Sequence, residues 1–468
     1  MRIPISALDA GGARSKKATI ENLVNMYAEK APNNAMTQYV LYQCEGLTEF
    51  CNLGSDPILR LHTTSDDRVF AITKTKIYEI NSNKTFTERG TFSGNGLTDF
   101  VSTADNGSQL VIVDGSRGFV LLLTTNTLNE ITAQTGFYPA NHVVFMDGYF
   151  IFNRASTGQF FISALYDTTT DPLDFATAES APDDTIGLSV FSNQLWLFGQ
   201  KTIEIWYNSG DALFPFSRVS GGVINRGCLF NGSIKKGYST LYFVGDDGLV
   251  YGIGMSSYVP QRISTYAIEK DIMGETQGYS FVFTQYGHEF YMLHLPNNER
   301  TWCYDVVNAL WHERRSTVIN PTFLVPEQKR HISRSFTDGF GYKLVGSRLD
   351  GKLYFLDKNS AKDNGQVMVR EMVSSPIFKE NRWLKCSMFE VIAECTIKSD
   401  SKPLAILQWS DDTQSWSDGV QMVIGKLGDN NFRYVARRLG RFRNRSFRVT
   451  ITDDAIVYLV GAFAEVEQ

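Results

Sequence analysis

Adjacent aspartates and scattered histidines are the side chains of this 468-residue sequence with catalytic chemistry at stake. The pairs Asp66/Asp67, Asp183/Asp184 and Asp246/Asp247 could supply the two carboxylates, at a fixed separation, that glycoside hydrolysis requires. Aspartate is also common at hairpin turns, where its carboxylate bonds its own backbone two residues on, and these pairs read first as turn formers. His62, His142, His288, His294, His312 and His331 show no HxH or HExxH spacing of metal-ligand type. His142 and His294 fall in or beside apolar strands and read as core residues whose polar atoms are satisfied. There is no GxGxxG, P-loop or GxSxG. The residues therefore point to no catalytic group, no metal and no cofactor, and a non-enzyme is expected.

Two further stretches carry chemistry. Ser410–Trp416, SDDTQSW, shares the Asp-rich look of the sialidase aspartate box, but it occurs once and lacks the box's glycine, so a hairpin with a packed Trp416 is expected. The run RYVARRLGRFRNRSFRV holds Arg433, Arg437, Arg438, Arg441, Arg443, Arg445 and Arg448. Arginine binds carboxylates and phosphates bidentately, and a strand with arginines at alternate positions would present them on one face. Arg437, Arg438, Arg441, Arg443 and Arg445 are thus candidates for contact with a protein partner or DNA. A solvated strand and loop is the other reading of the same run.

The formal net charge of -5 argues against nucleic-acid binding over the whole surface and leaves room for this local basic patch. No run approaches the ~18 apolar residues of a membrane span, and the first residues lack the apolar stretch of a secretory signal. Cys44, Cys51, Cys228, Cys303, Cys386 and Cys395 form no CxxC and read as free thiols, with Cys44 and Cys51 the only pair near in sequence.

A repeat must position these groups. Short apolar strands recur at 69 (VFAIT), 110 (LVIVD), 149 (YFIFN), 195 (LWLFG), 241 (LYFVG), 290 (FYMLH) and 342 (YKLVG). Each is followed across a polar turn by a second strand, and Asn106-Gly107, Asp147-Gly148, Asp247-Gly248 and Asp350-Gly351 suit tight hairpin turns. One strand precedes and a more polar one follows most hairpins. Four strands per ~40 to 50 residues is the propeller blade unit. A seven-bladed propeller over 46–360 is therefore expected. The last blade lacks an outer strand of its own, and 46–53 is expected to supply it and close the ring, which removes free sheet edges. Residues 1–45 are expected to form an extended arm. Beyond 361 the rhythm stops, and the short strands of 361–468 suit a small C-terminal β-sandwich. The fold class expected is all-β.

Several blocks, in order, make the chain recognisable: ENLVNMYAEKAPNN from 21, CEGLTEF from 44, PDDTIGLSVFSNQLWLFGQKTIEIWYNSGD from 182, QWSDDTQSW from 408, and ARRLGRFRNRSFRVTITDDAIVYLVGAFAE from 436. Together they resemble the packaged-DNA stabilisation proteins, also called tail accessory or hub proteins, of short-tailed double-stranded DNA bacteriophages. One departure is that the family's Pro-Gly-Leu stands here as Glu45-Gly46-Leu47, which keeps the glycine. The resemblance implies a hexameric ring of identical subunits below the portal and its adaptor ring. There it would help retain packaged DNA, hold a tail needle or nozzle, and anchor tailspike or fibre proteins, in proximity to channel DNA. It implies location in the virion tail, after assembly in the host cytoplasm. A propeller-type glycan depolymerase, or a glycan-binding tail protein, is the alternative.

Overall fold

The computed structural model describes residues 1–5, 7–15, 18–132, 136–255, 257–320, 322–396, 402–425 and 431–467. All the repeated apolar segments form hairpins in it, and their burial explains their composition. Val69–Thr73 and His288–Leu295 are buried at every residue, because both faces of such a strand meet a neighbouring sheet. The outermost strand Phe86–Thr91 is exposed or half-exposed throughout, and correspondingly reads FTERGT. The Asp147-Gly148 turn has φ of 50° and 90°, the doubly positive geometry that matches the twist of a two-residue hairpin.

Five sheets have four antiparallel strands each, starting at Ile58–Thr63, Ser102–Asp105, Ala140–Met146, Thr185–Phe191 and Lys235–Lys236. A further sheet takes Ser333–Gly339, Tyr342–Ser347 and Lys352–Asp357, then Gly46–Asn52, with Leu47 opposite Leu356 and Cys51 opposite Leu353. Lys362–Asp363 and Gln366–Val367 extend this sheet beyond Gly46–Asn52, with Asp363 opposite Leu47. The hairpin around His288–Leu295, expected as a blade of its own, is instead one end of a ten-stranded sheet. That sheet runs from Tyr279–Gln285 to Leu310–Glu313, crosses through Asn22–Val24, and continues into Arg370–Val373, Asn444–Ile451, Leu404–Ser410 and Val420–Val423. The expected seven-bladed propeller is therefore corrected to a six-bladed one whose ring is completed by the near end of this shared sheet. The physical reason is edge pairing. Val24 lies parallel to Glu313, so the outer edge that would end a blade is used to join the C-terminal domain.

Neighbouring inner strands are tied by side chains. Arg60 Nε donates to Thr103 Oγ1 (3.3 Å), Ser280 Oγ to the Gly232 carbonyl (2.9 Å), and Thr63 meets Thr337 (2.7 Å), while Phe281 stacks on Phe336. Phe50, 3% exposed on the strand Gly46–Asn52, lies against Phe340 and Tyr342. Phe50→Ala should therefore destabilise the fold by about 3–5 kcal/mol in urea unfolding. A loss below ~1 kcal/mol would show that this strand contributes little to ring closure. Gly46 is required by close approach, since a Cβ there would stand 2.5 Å from the Lys362 carbonyl and 2.7 Å from that of Ser360.

The second sheet of the C-terminal sandwich is built from Met26–Lys30, Tyr39–Gln43, Ile456–Glu467, Leu384–Thr396 and Asn431–Arg437, with Arg2–Ile5 added along Ile456–Glu467. Residues of 1–45 thus run as strands through the sheets of the C-terminal domain. Phe389 and Phe447, 4.5 Å apart, mark the core between its two sheets.

Candidate partner-contact surface

Each expected aspartate pair sits in a loop or turn, and its carboxylates are engaged by neighbouring groups there. Asp183 accepts from the amides of Lys201 (2.6 Å) and Thr202 (3.0 Å), Asp247 from the amide of Leu249 and the hydroxyl of Tyr251, and Asp66 from Thr64. Asp67 takes a φ of 62° in its turn. In Ser410–Trp416, Asp412 accepts from the hydroxyl of Ser415 and from the amides of Gln414 and Ser415, which together hold its carboxyl well below the usual range. Trp416 lies under the Arg448 guanidinium, 4.1 Å away.

Among the described residues no group of three or more His, Cys, Asp or Glu could hold a metal ion, and no helix is long and apolar enough to cross a membrane. The six cysteines are free and buried, and burial pushes the Cys44 and Cys51 thiols up to about 12. The histidines are mostly partnered by acids or hydroxyls, as in His62–Asp105 (2.9 Å) and His288–Asp305 (2.9 Å). His142 and His294 are buried as expected of core residues, but each leaves Nε2 without a partner, so neither is fully satisfied.

The arginine run does not form one face. Its first part, Asn431–Arg437, pairs with Leu384–Thr396 and ends where Arg438 and Gly440 adopt positive φ. A two-residue strand, Arg441–Phe442, pairs with Leu384 and Lys385, and the chain then bends at Arg443 before Asn444–Ile451. This break turns Arg445 inward. Its side chain is 3% exposed, grips Asp411 bidentately (2.6 and 2.8 Å) and lies over the Phe442 ring. Arg445 is thus a structural ion pair in this subunit, whereas Arg437, Arg438, Arg441 and Arg443 point outward. Among the described residues Arg437, Arg438 and Arg441 make no ion pair, and Arg443 stacks on the exposed Trp383 at 4.9 Å. Arg433 and Arg2 share the buried carboxylate of Glu390.

Beside these arginines the surface turns apolar. Leu384, which pairs with Phe442, also lines a groove of about 430 Å³ formed with Met1, Ile3, Ile377, Phe378 and Val466. Phe378 is 68% exposed and Trp383 57%. An exposed aromatic pair flanked by unpaired arginines has the composition of an interface centre.

The sequence reading missed this apolar half, because Phe378 and Trp383 lie outside any repeat. It also missed the hairpin Arg315–Ile319/Pro326–Arg330, whose tip exposes Phe323 and Leu324, although the Asn-Pro pair at 320–321 is a turn signal.

Comparison with known proteins follows the same division. Residues 1–361 match the family model described as Bacteriophage P22 Gp10, beta-propeller, and residues 369–467 match the one described as Bacteriophage P22 Gp10, beta-sandwich. No curated protein matches the sequence significantly. Among solved structures, the chain is similar to the extracellular domain of a hybrid two-component system of B. thetaiotaomicron at 8% identity and a TM-score of 0.46. That match covers 66% of this chain and spans only 39% of the other. It is also similar to the Neurospora crassa Pan2 WD40 domain, at 6% identity and a TM-score of 0.44, over 67% of this chain and 96% of that one. With family models matching both halves, the chain belongs to the bacteriophage P22 Gp10 family, the packaged-DNA stabilisation and tail hub proteins of short-tailed phages, and is a structural component of a phage tail.

Proposed function

We propose that this protein is the hub of a short phage tail: a ring of identical subunits, six as in the family, below the portal and its adaptor ring. In this reading it helps retain the packaged genome, holds the tail needle or nozzle and anchors tailspikes or fibres. The propeller of 46–360 and the sandwich of 361–468 act as one stiff body, with 1–45 as a strap between them. The ten-stranded shared sheet supports this, since hydrogen bonds run without interruption from propeller to sandwich.

The observation that carries the reading is the surface of Trp383, Phe378, Arg437, Arg438, Arg441 and Arg443. The chain as a whole is acidic, with a formal net charge of -5, so an unpaired basic patch on it is complementary to a second copy of the same subunit. DNA is the less favoured occupant, because gripping it takes many neutralised phosphates and this patch offers four arginines.

The test is a variant carrying Arg441→Gln, Arg443→Gln and Trp383→Ala, which leaves the buried Arg445–Asp411 pair intact. Its mass by analytical ultracentrifugation, alone and mixed with portal–adaptor rings, is compared with that of the wild type. The expected result is wild-type subunits adding to the ring as a set and the variant binding at least about 30-fold more weakly, as loss of an interface centre costs roughly 2–4 kcal/mol. Complete particles that leak DNA would place the patch on the channel instead. Normal assembly with normal genome retention would leave it a solvated surface.

A further inference from the structure

Three tyrosines stand in one row across the second sheet of the sandwich. Tyr27 on Met26–Lys30 lies opposite Tyr42 on Tyr39–Gln43, and Tyr42 lies opposite Tyr458 on Ile456–Glu467, so the three side chains share a face. The ring centroids are 5.9 Å apart in the first pair and 5.0 Å in the second. Ala28, Leu41 and Val457, next to them in sequence, point the other way into the sandwich core, and the Tyr27 ring meets Phe290 of the propeller at 5.5 Å. A fourth tyrosine reaches the row from the propeller side. Tyr286 begins the two-residue turn Tyr286-Gly287 (φ 51° and 84°) between Tyr279–Gln285 and His288–Leu295. That doubly positive geometry favours Asn or Asp at its first position, where Asp147 stands in the Asp147-Gly148 turn, and a bulky ring there is uncommon. Phe340 occupies the same position before Gly341 and packs on Phe50, whereas Tyr286, 54% exposed, meets no other ring among the described residues.

The four tyrosines line one cavity of about 310 Å³ together with Glu29, Glu45 and Lys358. Glu45 is 5% exposed, and its carboxylate receives no side-chain hydrogen bond among the described residues; Arg314 stands 4.0 Å away. Burial raises this carboxyl, and the Arg314 charge offsets the rise only in part. Glu29 is partly exposed and reaches His288 at 3.5 Å, a histidine already bonded to Asp305 at 2.9 Å. Glu394, opposite Tyr458 on Leu384–Thr396, adds a third acid at the end of the row. Against these acids stands Lys358, exposed and without an ion pair among the described residues. Among the described residues no lysine or arginine lies over any of the four rings. The face of an aromatic ring is the negative end of its quadrupole, and a buried carboxylate beside such rings is costly until a cation joins it.

We propose that this cavity between propeller and sandwich binds a small alkylammonium ligand, its charge held by Glu45 and Glu29 and its methylenes by the tyrosine rings. The rings attract the cation and cover its alkyl chain, while the carboxylates accept charge-assisted N–H bonds that a neutral ligand cannot replace. An anionic ligand would meet two acids, and a sugar would leave the Glu45 charge without a counter-ion. The site draws residues from both domains, so an occupied cavity fastens the propeller to the sandwich. It shares no residue with the arginine surface on which the hub reading rests.

The test titrates the full chain with 1,4-diaminobutane by calorimetry, at constant ionic strength, with neutral 1,4-butanediol as the control. The expected result is saturable binding of the diamine, a rise in thermal midpoint with it, and neither effect with the diol. Glu45→Gln should bind the diamine at least about tenfold more weakly, the loss of one charge-assisted contact. Tyr286→Asn, which suits the turn and so keeps the fold, should bind at least about threefold more weakly through loss of one ring. Lys358→Met should bind no more weakly than the wild type, because it removes a repelling charge. Nα-acetyl-lysine methylamide, which carries the same ammonium on a peptide unit, should bind less tightly than the diamine; tighter binding would assign the cavity to a lysine of a neighbouring protein and overturn a free amine as its ligand. No saturable diamine binding by the wild type, equal binding of the diol, or undiminished binding by Tyr286→Asn or by folded Glu45→Gln would each overturn the proposal. Weaker binding by Lys358→Met would do so as well, since it would show a site that favours negative charge.

Discussion

Replacing Arg314 with methionine should destabilise the fold by about 3–5 kcal/mol at neutral pH and by clearly less near pH 5. The Arg314 side chain is 1% exposed and joins three segments remote in sequence. Its Nη2 donates to the Glu45 carbonyl (2.8 Å), its Nη1 stands 4.0 Å from the Glu45 carboxylate, and His331 Nε2 is 3.4 Å away. Asp363, fully buried and bonded to Ser316, is held in the same field. Burial raises both carboxyls, Asp363 to about 6, and Arg314 is the main influence pulling each back down. Methionine fills similar space, so the loss comes from charge rather than from a void. Without the guanidinium both carboxyl groups rise further in the folded state. A carboxyl whose folded pKa is raised penalises folding above that pKa, and the penalty vanishes as pH falls toward the unfolded value near 4. Urea unfolding at pH 7.5 and pH 5 measures both parts. A loss below ~1 kcal/mol at neutral pH, or one that does not shrink on acidification, would rule out this account of the cluster.

The second large effect is acid sensitivity carried by buried neutral histidines. Burial, aided by Arg314, pushes His312 down to about 3, and burial with neighbouring arginines depresses His294 and His331 well below the ordinary range. A histidine with a depressed folded pKa supports folding above its unfolded pKa of ~6.5, and that support is lost as pH falls through the window from 6.5 toward 3. At pH 5 the unfolded chain binds a proton that folded His312 refuses, at a cost of about 2 kcal/mol. Other groups act in the opposite direction. His288 is raised by its bond to Asp305, and Asp9 and Asp363, raised to about 6 by burial, take up protons in the folded state first. The isolating measurement is therefore a difference. The loss of stability between pH 7 and pH 5 should be smaller in His312→Gln than in the wild type by about 2 kcal/mol. Parallel curves for the two proteins would show that His312 is protonated in the folded state at pH 5.

Local order was legible in the residues themselves. Inner strands such as Val69–Thr73 are apolar on both faces, outer ones such as Phe86–Thr91 are polar, and Asp147-Gly148 has the turn geometry its residue types favour. These signals are short-ranged, so hairpins and their turns can be read directly from the chain. The placement of Gly46–Asn52 beside Lys352–Asp357 was legible for a related reason, as the last repeat lacks an outer strand and Gly46 begins a segment with the pattern of one.

What the tertiary structure decided was which edges and charges meet. Asn22–Val24 is three residues long, too short for a periodic signal, yet it joins Leu310–Glu313 to Arg370–Val373 and so changes the blade count. Arg441, Arg443 and Arg445 alternate in sequence, but the bend at Arg443 breaks the period-two rule. Asp411, 34 positions from Arg445, then captures that one arginine and leaves its neighbours in solvent. Backbone geometry and hydrophobic period act over a few residues, whereas edge pairing and electrostatic contact act through space between segments whose separation along the chain carries no pattern. For that reason the sequence determined the strands and turns of this protein, and only the folded ring decided its sheet boundaries and its sites.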